Sequence, residues 1–525
     1  MTQARGVAPA QAQLQPSHSQ TAGVAYVPPP AYETDKFVAR VELLQDFRQI
    51  LETIEQGEPQ RHIIMLWGVS GLGKTWIIRH LAHELGHDIP RGKRKGSCAV
   101  VFDFANDQSQ QCKTAEELLW AFTKRVQEIS EAMQDQLVDN ERLEVTRINE
   151  AIATSRSAET LASETVRLLQ RLSDSFVPIC LFDSLDILED THFDWFAWFE
   201  EYLWVPIGRD PRMLLVFAAR KEMKRFQQFE VRRRLKRWEV VPFKADEVAA
   251  QLQQERRVRD AILVGNILYP YSFGHPYATW RLGEGLASLT PSTQVIDEHA
   301  ARQYEKDFAD LLKTVIEWWL NHVNMEVRRR LLAVATLRHF HIRAIQLFLA
   351  ETESNESLKL KPDSYFQDII RSMLSTDLTY WSQSQHGYVI DPTVRKIINR
   401  WLFLTDAAEH THRHEIAKQL YVSWIAENPL YAAHNIIEAI YHDAMRTRGQ
   451  CGGNLREEIE LTVAQYLDPQ STCLDLEGAL TLAEELKRDD ELQEIIGDIH
   501  QDLLKRVDSL ISEISRHSTN GVAAA

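Results

Sequence analysis

Between the apolar run Ile63-Ile64-Met65-Leu66-Trp67 and a helical pattern over residues 76–85 stands Gly68-Val69-Ser70-Gly71-Leu72-Gly73-Lys74-Thr75. The spacing is GxxxxGK[ST], and it constrains the fold strongly: a strand must enter a tight glycine turn and a helix must leave it. Glycines let successive N–H groups curl round one anion, and the helix N-terminus adds its partial positive charge. The segment predicts a phosphate-binding loop formed by Gly68, Ser70, Gly71 and Gly73, with Trp76 just behind. Lys74 is expected at the β- and γ-phosphates of ATP or ADP, and the Thr75 hydroxyl on Mg2+.

Such a site needs an acid at the end of another buried strand. Pro178-Ile179-Cys180-Leu181-Phe182-Asp183 supplies it. Asp183 is the expected second magnesium ligand, and Asp186 can orient or deprotonate an attacking water. A third apolar run, Leu214-Leu215-Val216-Phe217-Ala218-Ala219, ends at Arg220. Ligands lie beyond the carboxyl ends of parallel strands, so Arg220 is placed to sense a γ-phosphate. Further apolar runs cover 99–104 and 238–241, with helical stretches between them, one read as continuous from 114 to about 172. Short apolar runs alternating with helices predict a parallel sheet in an α/β P-loop domain, ASCE or AAA+-like.

With 525 residues the chain exceeds one core. Residues 1–33, rich in Gln, Ala, Ser and Pro at their start, read as a disordered tail and 34–243 as the P-loop domain. Strand signals nearly vanish after it. Residues 244–322 read as a small helical domain, 323–405 as a winged helix with a hairpin at 379–390, and 406–525 as a helical, TPR-like region. The net charge of -16 disfavours general attraction to nucleic acid or anionic membrane. The basic clusters at 91–95 and 232–237 keep nucleic acid open as a partner. No apolar run reaches bilayer length, and Cys98, Cys112, Cys180, Cys451 and Cys473 show no metal or disulfide spacing. A cytoplasmic location is expected. His410, His412 and His414 alternate along a helical stretch and are read as facing different ways, and Trp318-Trp319 as core or lid packing.

This set of motifs resembles the STAND class of signal-transduction P-loop ATPases, bacterial type, which includes the NACHT and plant-resistance-type (AP-ATPase) switches. Phe37-Val38-Ala39-Arg40-Val41-Glu42 looks like the class's hhGRxxE entry motif, with Ala39 in place of glycine. The resemblance places Val38 and Arg40 near the adenine. Asp183-Ser184-Leu185-Asp186 resembles the NACHT second motif, with Ile187 where many members carry another acid. Gly274-His275-Pro276 resembles the GxP motif, whose proline approaches the base. Asp391 is aligned with a histidine that touches the ADP phosphate in relatives, and a carboxylate there would repel it.

The resemblance implies a slowly hydrolysing switch that changes conformation with nucleotide, oligomerises in the ATP state, and recruits a protein effector or ligand. Two other classes fit the same residues. One is an initiator-type AAA+ ATPase acting on DNA, although residues 365–374, the expected recognition helix, offer only Arg371. The other is a scaffold that binds ATP without turning it over.

Overall fold

The computed structural model describes residues 28–523 except 58–60, 86, 89–95, 106–111, 192, 224–225, 255–256, 384, 450–453 and 468–471. Residues 1–27, most of the expected tail, the 91–95 cluster and Cys451 therefore lie outside the described residues. Pro30 and Tyr32, assigned to that tail, are docked: the Trp76 indole N–H donates to the Pro30 carbonyl at 3.2 Å, and the Tyr32 hydroxyl meets His80 Nδ1 at 3.0 Å.

Six strands form the main sheet: β1 (Ile63–Trp67), β2 (His87–Asp88), β3 (Gly96–Asp103), β4 (Phe176–Asp183), β5 (Leu214–Ala219) and β6 (Leu235–Glu239). Their spatial order is β2-β3-β4-β5-β1-β6, with only the β2–β3 pair antiparallel. Each of the five apolar runs read from the sequence thus falls in or against a parallel strand. Alternate residues point to opposite faces, and both faces are covered. Ile64, Leu66, Leu181, Val216 and Ala218 pack with the helices Val41–Glu55 and Lys74–Leu85. Ile63, Met65, Phe102, Phe182 and Phe217 pack with the helices Ala115–Ala132 and Ala158–Leu172 and with Trp204. This is the architecture of a P-loop NTPase. β5 is inserted between the loop strand β1 and the aspartate strand β4, so Arg220 emerges between the 68–75 loop and Asp183.

The single helix expected over 114–172 is three: Ala115–Ala132, Asp139–Thr154 and Ala158–Leu172. Ser157 caps the last of them by accepting the Thr160 N–H at 3.2 Å. A serine N-cap starts a helix without disturbing the apolar period, which is why the periodicity ran through the break.

Beyond β6, the helices Ala245–Gln253, Ala261–Ser272, Pro276–Leu289 and Phe308–Leu320 close over one end of the sheet. The helices Met325–Val334, Ile342–Thr352 and Asp363–Leu374 follow, then the hairpin β7 (Thr379–Ser382) and β8 (Gly387–Ile390), then the helix Pro392–Thr405. Phe340 bridges to Tyr388 of β8. The helices Ala407–Glu427, Ala432–Gly449, Leu455–Leu467 and Leu476–Arg488 begin the last region, which has its own core.

A buried ionic network ties that region to the preceding one. Arg338 Nε–H donates to Glu438 Oε1 at 2.9 Å and its Nη1–H to Asp489 Oδ2 at 2.6 Å. Arg395 donates to the Tyr441 hydroxyl at 2.9 Å and to Glu491. Among the described residues, no helix is long and apolar enough to cross a membrane.

Candidate functional site

Gly68, Gly71 and Gly73 all have positive φ, at 152°, 89° and 90°. A Cβ on Gly68 would lie 2.7 Å from the Val240 carbonyl oxygen, and one on Gly71 would lie 2.4 Å from the His275 ring. The loop therefore needs glycine at both positions for contact as well as for conformation. Buried Lys74 turns back along the loop, its ammonium donating to the carbonyls of Gly68 at 2.5 Å and Val69 at 3.0 Å. Burial pulls its pKa down to about 8, against the opposing pull of Asp186 and Asp183.

At the end of β4, Asp183 accepts a hydrogen bond from the Thr75 hydroxyl. Its Oδ1 also accepts the Ser184 N–H at 2.8 Å, while Oδ2 is buried without a hydrogen-bond partner. Burial, then the nearby Asp103, raise its pKa to about 6. A paired Thr–Asp with a free, buried carboxylate oxygen fits a hard divalent cation such as Mg2+. Asp103 is paired with Asp183 in the β3–β4 register and was not singled out from the sequence. Its signal was available, since it too ends an apolar run.

Asp186 Oδ1 accepts the Arg220 main-chain N–H at 2.9 Å, and Oδ2 accepts its Nε–H at 2.5 Å. The same guanidinium reaches Asp377 Oδ2 at 3.1 Å, and Lys221 reaches Asp377 Oδ1 at 3.4 Å. Asp377 belongs to the turn before β7, so Arg220 bridges the sheet to the hairpin region. No sequence motif marks this residue.

Above the loop lies a cavity of about 420 Å3, a size that suits a nucleotide. Lys74, Thr75, Asp183, Asp186 and Arg220 form its polar end, with Ile187 beside them. The expected base-side residues Val38, Arg40 and Pro276 also line it, as does Trp76 behind the loop. Phe37, Phe243, Tyr277, Trp280 and Trp318 extend that apolar side. Of the pair expected as core or lid packing, Trp318 is a wall of the cavity and Trp319 is buried in the core. Arg40 clamps structure more than it presents charge: its guanidinium donates to Val241 O at 2.6 Å and Leu72 O at 3.0 Å and sits 4.7 Å over the Phe243 ring. Desolvation lowers its pKa to about 10.

His275, passed over in reading Gly274-His275-Pro276 for its proline, is a hinge-pin of the site. Its Nδ1 accepts the Ala278 N–H at 3.3 Å as the cap of the Pro276–Leu289 helix. The other nitrogen, Nε2, then carries the proton and donates to Ser70 O at 2.9 Å. Burial drops its pKa to about 3, so the ring is neutral. Trp319 donates to the same carbonyl at 3.2 Å.

Asp391, expected at the phosphate end, lies within electrostatic reach of Lys74 and also caps a helix. Its Oδ1 caps the Pro392–Thr405 helix, accepting the N–H groups of Thr393 at 2.9 Å and Val394 at 3.1 Å. In the 232–237 cluster, Arg233 and Arg234 pair with Glu230, Lys236 with Asp46 and Arg237 with Glu222. Arg371 is likewise paired, with Asp368 at 2.7 Å.

The profile of the nephrocystin 3 N-terminal family matches residues 43–204. No curated protein matches the sequence. Among solved structures, the fold is similar to the Walker-type ATPase PABY2304 of Pyrococcus abyssi, at 15% identity and a TM-score of 0.47, covering 70% of this chain and 98% of that one. It is also similar to the Aeropyrum pernix ORC2 protein in its ADP form, at 12% identity and a TM-score of 0.42, covering 73% and 96%. The Aeropyrum pernix ORC1 protein, solved in complex with DNA, matches at 15% identity and a TM-score of 0.34, covering 69% and 93%.

Proposed function

We propose that the chain binds ATP and ADP with Mg2+ in this cavity and acts as a slowly hydrolysing, nucleotide-dependent switch of the STAND type. In this reading residues 323–405 are its winged helix. The observation that carries it is the position of Arg220, held at once by Asp186 of the sheet domain and Asp377 of the hairpin region. Thr75 and Asp183 hold the magnesium, which neutralises phosphate charge when bound. Lys74 leaves the loop carbonyls for the β- and γ-oxygens. A γ-phosphate competes with Asp377 for the Arg220 guanidinium, so the triphosphate loosens the hairpin region and the diphosphate leaves it latched. The released face is the one offered to a second copy or to an effector protein.

Driving such an equilibrium from 1:99 to 99:1 takes about 5.5 kcal/mol of differential binding. Charge-assisted hydrogen bonds contribute about 1.5–3 kcal/mol each, so two or three new contacts from Lys74 and Arg220 suffice. The test is equilibrium dialysis with labelled ATP, combined with the hydrodynamic radius in ADP and in ATP. The reading expects a Lys74→Ala protein to lose ATP affinity and the unaltered protein to expand in ATP. Undiminished ATP binding by Lys74→Ala removes the reading, and equal radii remove the switch.

The arrangement of Asp186 favours a second reading, an ATP-binding scaffold, because both carboxylate oxygens are engaged by Arg220. Equal steady-state phosphate release from the unaltered protein and from Asp186→Ala would favour it.

A further inference from the structure

Far from the nucleotide cavity, the fold gathers imidazoles and a carboxylate where the segment before the Ile342–Thr352 helix meets the Ala432–Gly449 helix. His434, Glu438 and His442 recur every fourth residue, so they form one stripe along that helix. His339 is laid against the stripe. Its Nε2 is 2.9 Å from His434 Nε2, and its Nδ1 is 3.8 Å from Glu438 Oε1. One ligand atom from each of His339, His434 and Glu438 lies within 4.8 Å of the others. His442 Nε2 stands 3.9 Å from Glu438 Oε2.

Three features of this cluster point to a ligand. His339 Nδ1, Glu438 Oε2 and His442 Nε2 are buried without hydrogen-bond partners, which a protein interior rarely tolerates. His434 Nδ1 is 3.3 Å from Glu485 Oε2. A carboxylate on the far nitrogen of an imidazole, turning the near one inward as a lone-pair donor, is how metal-binding histidines are oriented. The surrounding charge also leaves room for a dication: Arg338 and Arg395 are paired with Glu438, Asp489 and Glu491, and Glu485 against His434 adds a fourth carboxylate.

We propose that His339, His434 and Glu438, with water completing the coordination, bind a divalent first-row transition metal, Zn2+ above others. Two imidazoles with one carboxylate suit Zn2+ and disfavour Mg2+ and Ca2+, which take oxygen ligands. His339 and Glu438 are buried and His434 is only a quarter exposed, so a bound ion pins the segment entering the Ile342–Thr352 helix to the C-terminal helices. It shares no residue with the nucleotide cavity and stands whether or not that cavity binds ATP.

The test uses the full chain, stripped with chelator and dialysed against Zn2+, with Co2+ as a spectroscopic substitute. One Zn2+ per chain is expected, together with the strong visible absorption of four-coordinate Co2+. His434 is a quarter exposed, so His434→Gln is compatible with folding. It should weaken Zn2+ binding by about 100-fold or more, and Glu485→Gln by about 10-fold, the effect of losing an orienting carboxylate. His412→Gln, at an exposed position of the Ala407–Glu427 helix, should bind as the unaltered chain does. Less than one Zn2+ per chain, or undiminished binding by folded His434→Gln, overturns the proposal. Should His434→Gln fail to fold by circular dichroism, the Co2+ spectrum of the unaltered protein decides, and a spectrum without four-coordinate bands overturns it.

Discussion

Ala39 and Arg40 have φ values of 65° and 62°, two consecutive side-chain-bearing residues in the left-handed region. That conformation costs roughly 1–2 kcal/mol per residue without glycine. Ala39→Gly should therefore stabilise the chain by about 1 kcal/mol, part of the gain being offset by the freer unfolded chain, read as a higher urea midpoint at unchanged slope. Asp183 yields a pH-dependent prediction. Its folded pKa, about 6, lies above the ordinary carboxylate value. The group thus favours folding below about pH 4, and the benefit is lost as pH rises through 6. A tenfold change in proton affinity is worth about 1.4 kcal/mol, so Asp183→Asn should stabilise the nucleotide-free protein by about 2 kcal/mol more at about pH 7.5 than at about pH 4. Thermal melts at the two pH values check it. At this scale the sequence was informative where chemistry and spacing coincide, as at Lys74, Thr75 and Asp183. It was silent at Asp377, because an aspartate in a turn carries no mark of the arginine it meets 157 residues away in the chain.

Among elements, the contact that matters most is between the 68–75 loop and the helices Pro276–Leu289 and Phe308–Leu320. Both donors to the Ser70 carbonyl, His275 and Trp319, come from those helices. His275→Ala removes one donor, uncaps a helix and opens a gap under Gly71. It should cost about 2–4 kcal/mol of stability and weaken nucleotide binding, measured by denaturant unfolding and dialysis. The parallel strands were legible because buried strands read as continuous apolar runs. The break of 114–172 into three helices was not: at the second break, the Ser157 cap leaves the apolar period intact. His410 and His414, read as facing different ways, share one buried face with ring centroids 4.5 Å apart, because four residues make about one helical turn.

For the whole molecule, the latch predicts a population shift. Asp377→Ala removes the carboxylate that Arg220 and Lys221 share. A loss of about 1.4 kcal/mol changes an equilibrium tenfold, so the variant should adopt the expanded form at about tenfold lower ATP occupancy. Small-angle scattering across an ATP titration would detect it, and an unshifted midpoint would count against the latch. What moves is limited by the network of Arg338, Arg395, Glu438, Asp489 and Glu491. Stripping one partner from a buried ion pair costs about 3–5 kcal/mol, more than the Asp377 contacts return. In the proposed switch, therefore, the segment from the Met325–Val334 helix to the Pro392–Thr405 helix and the C-terminal helices travel together as one body.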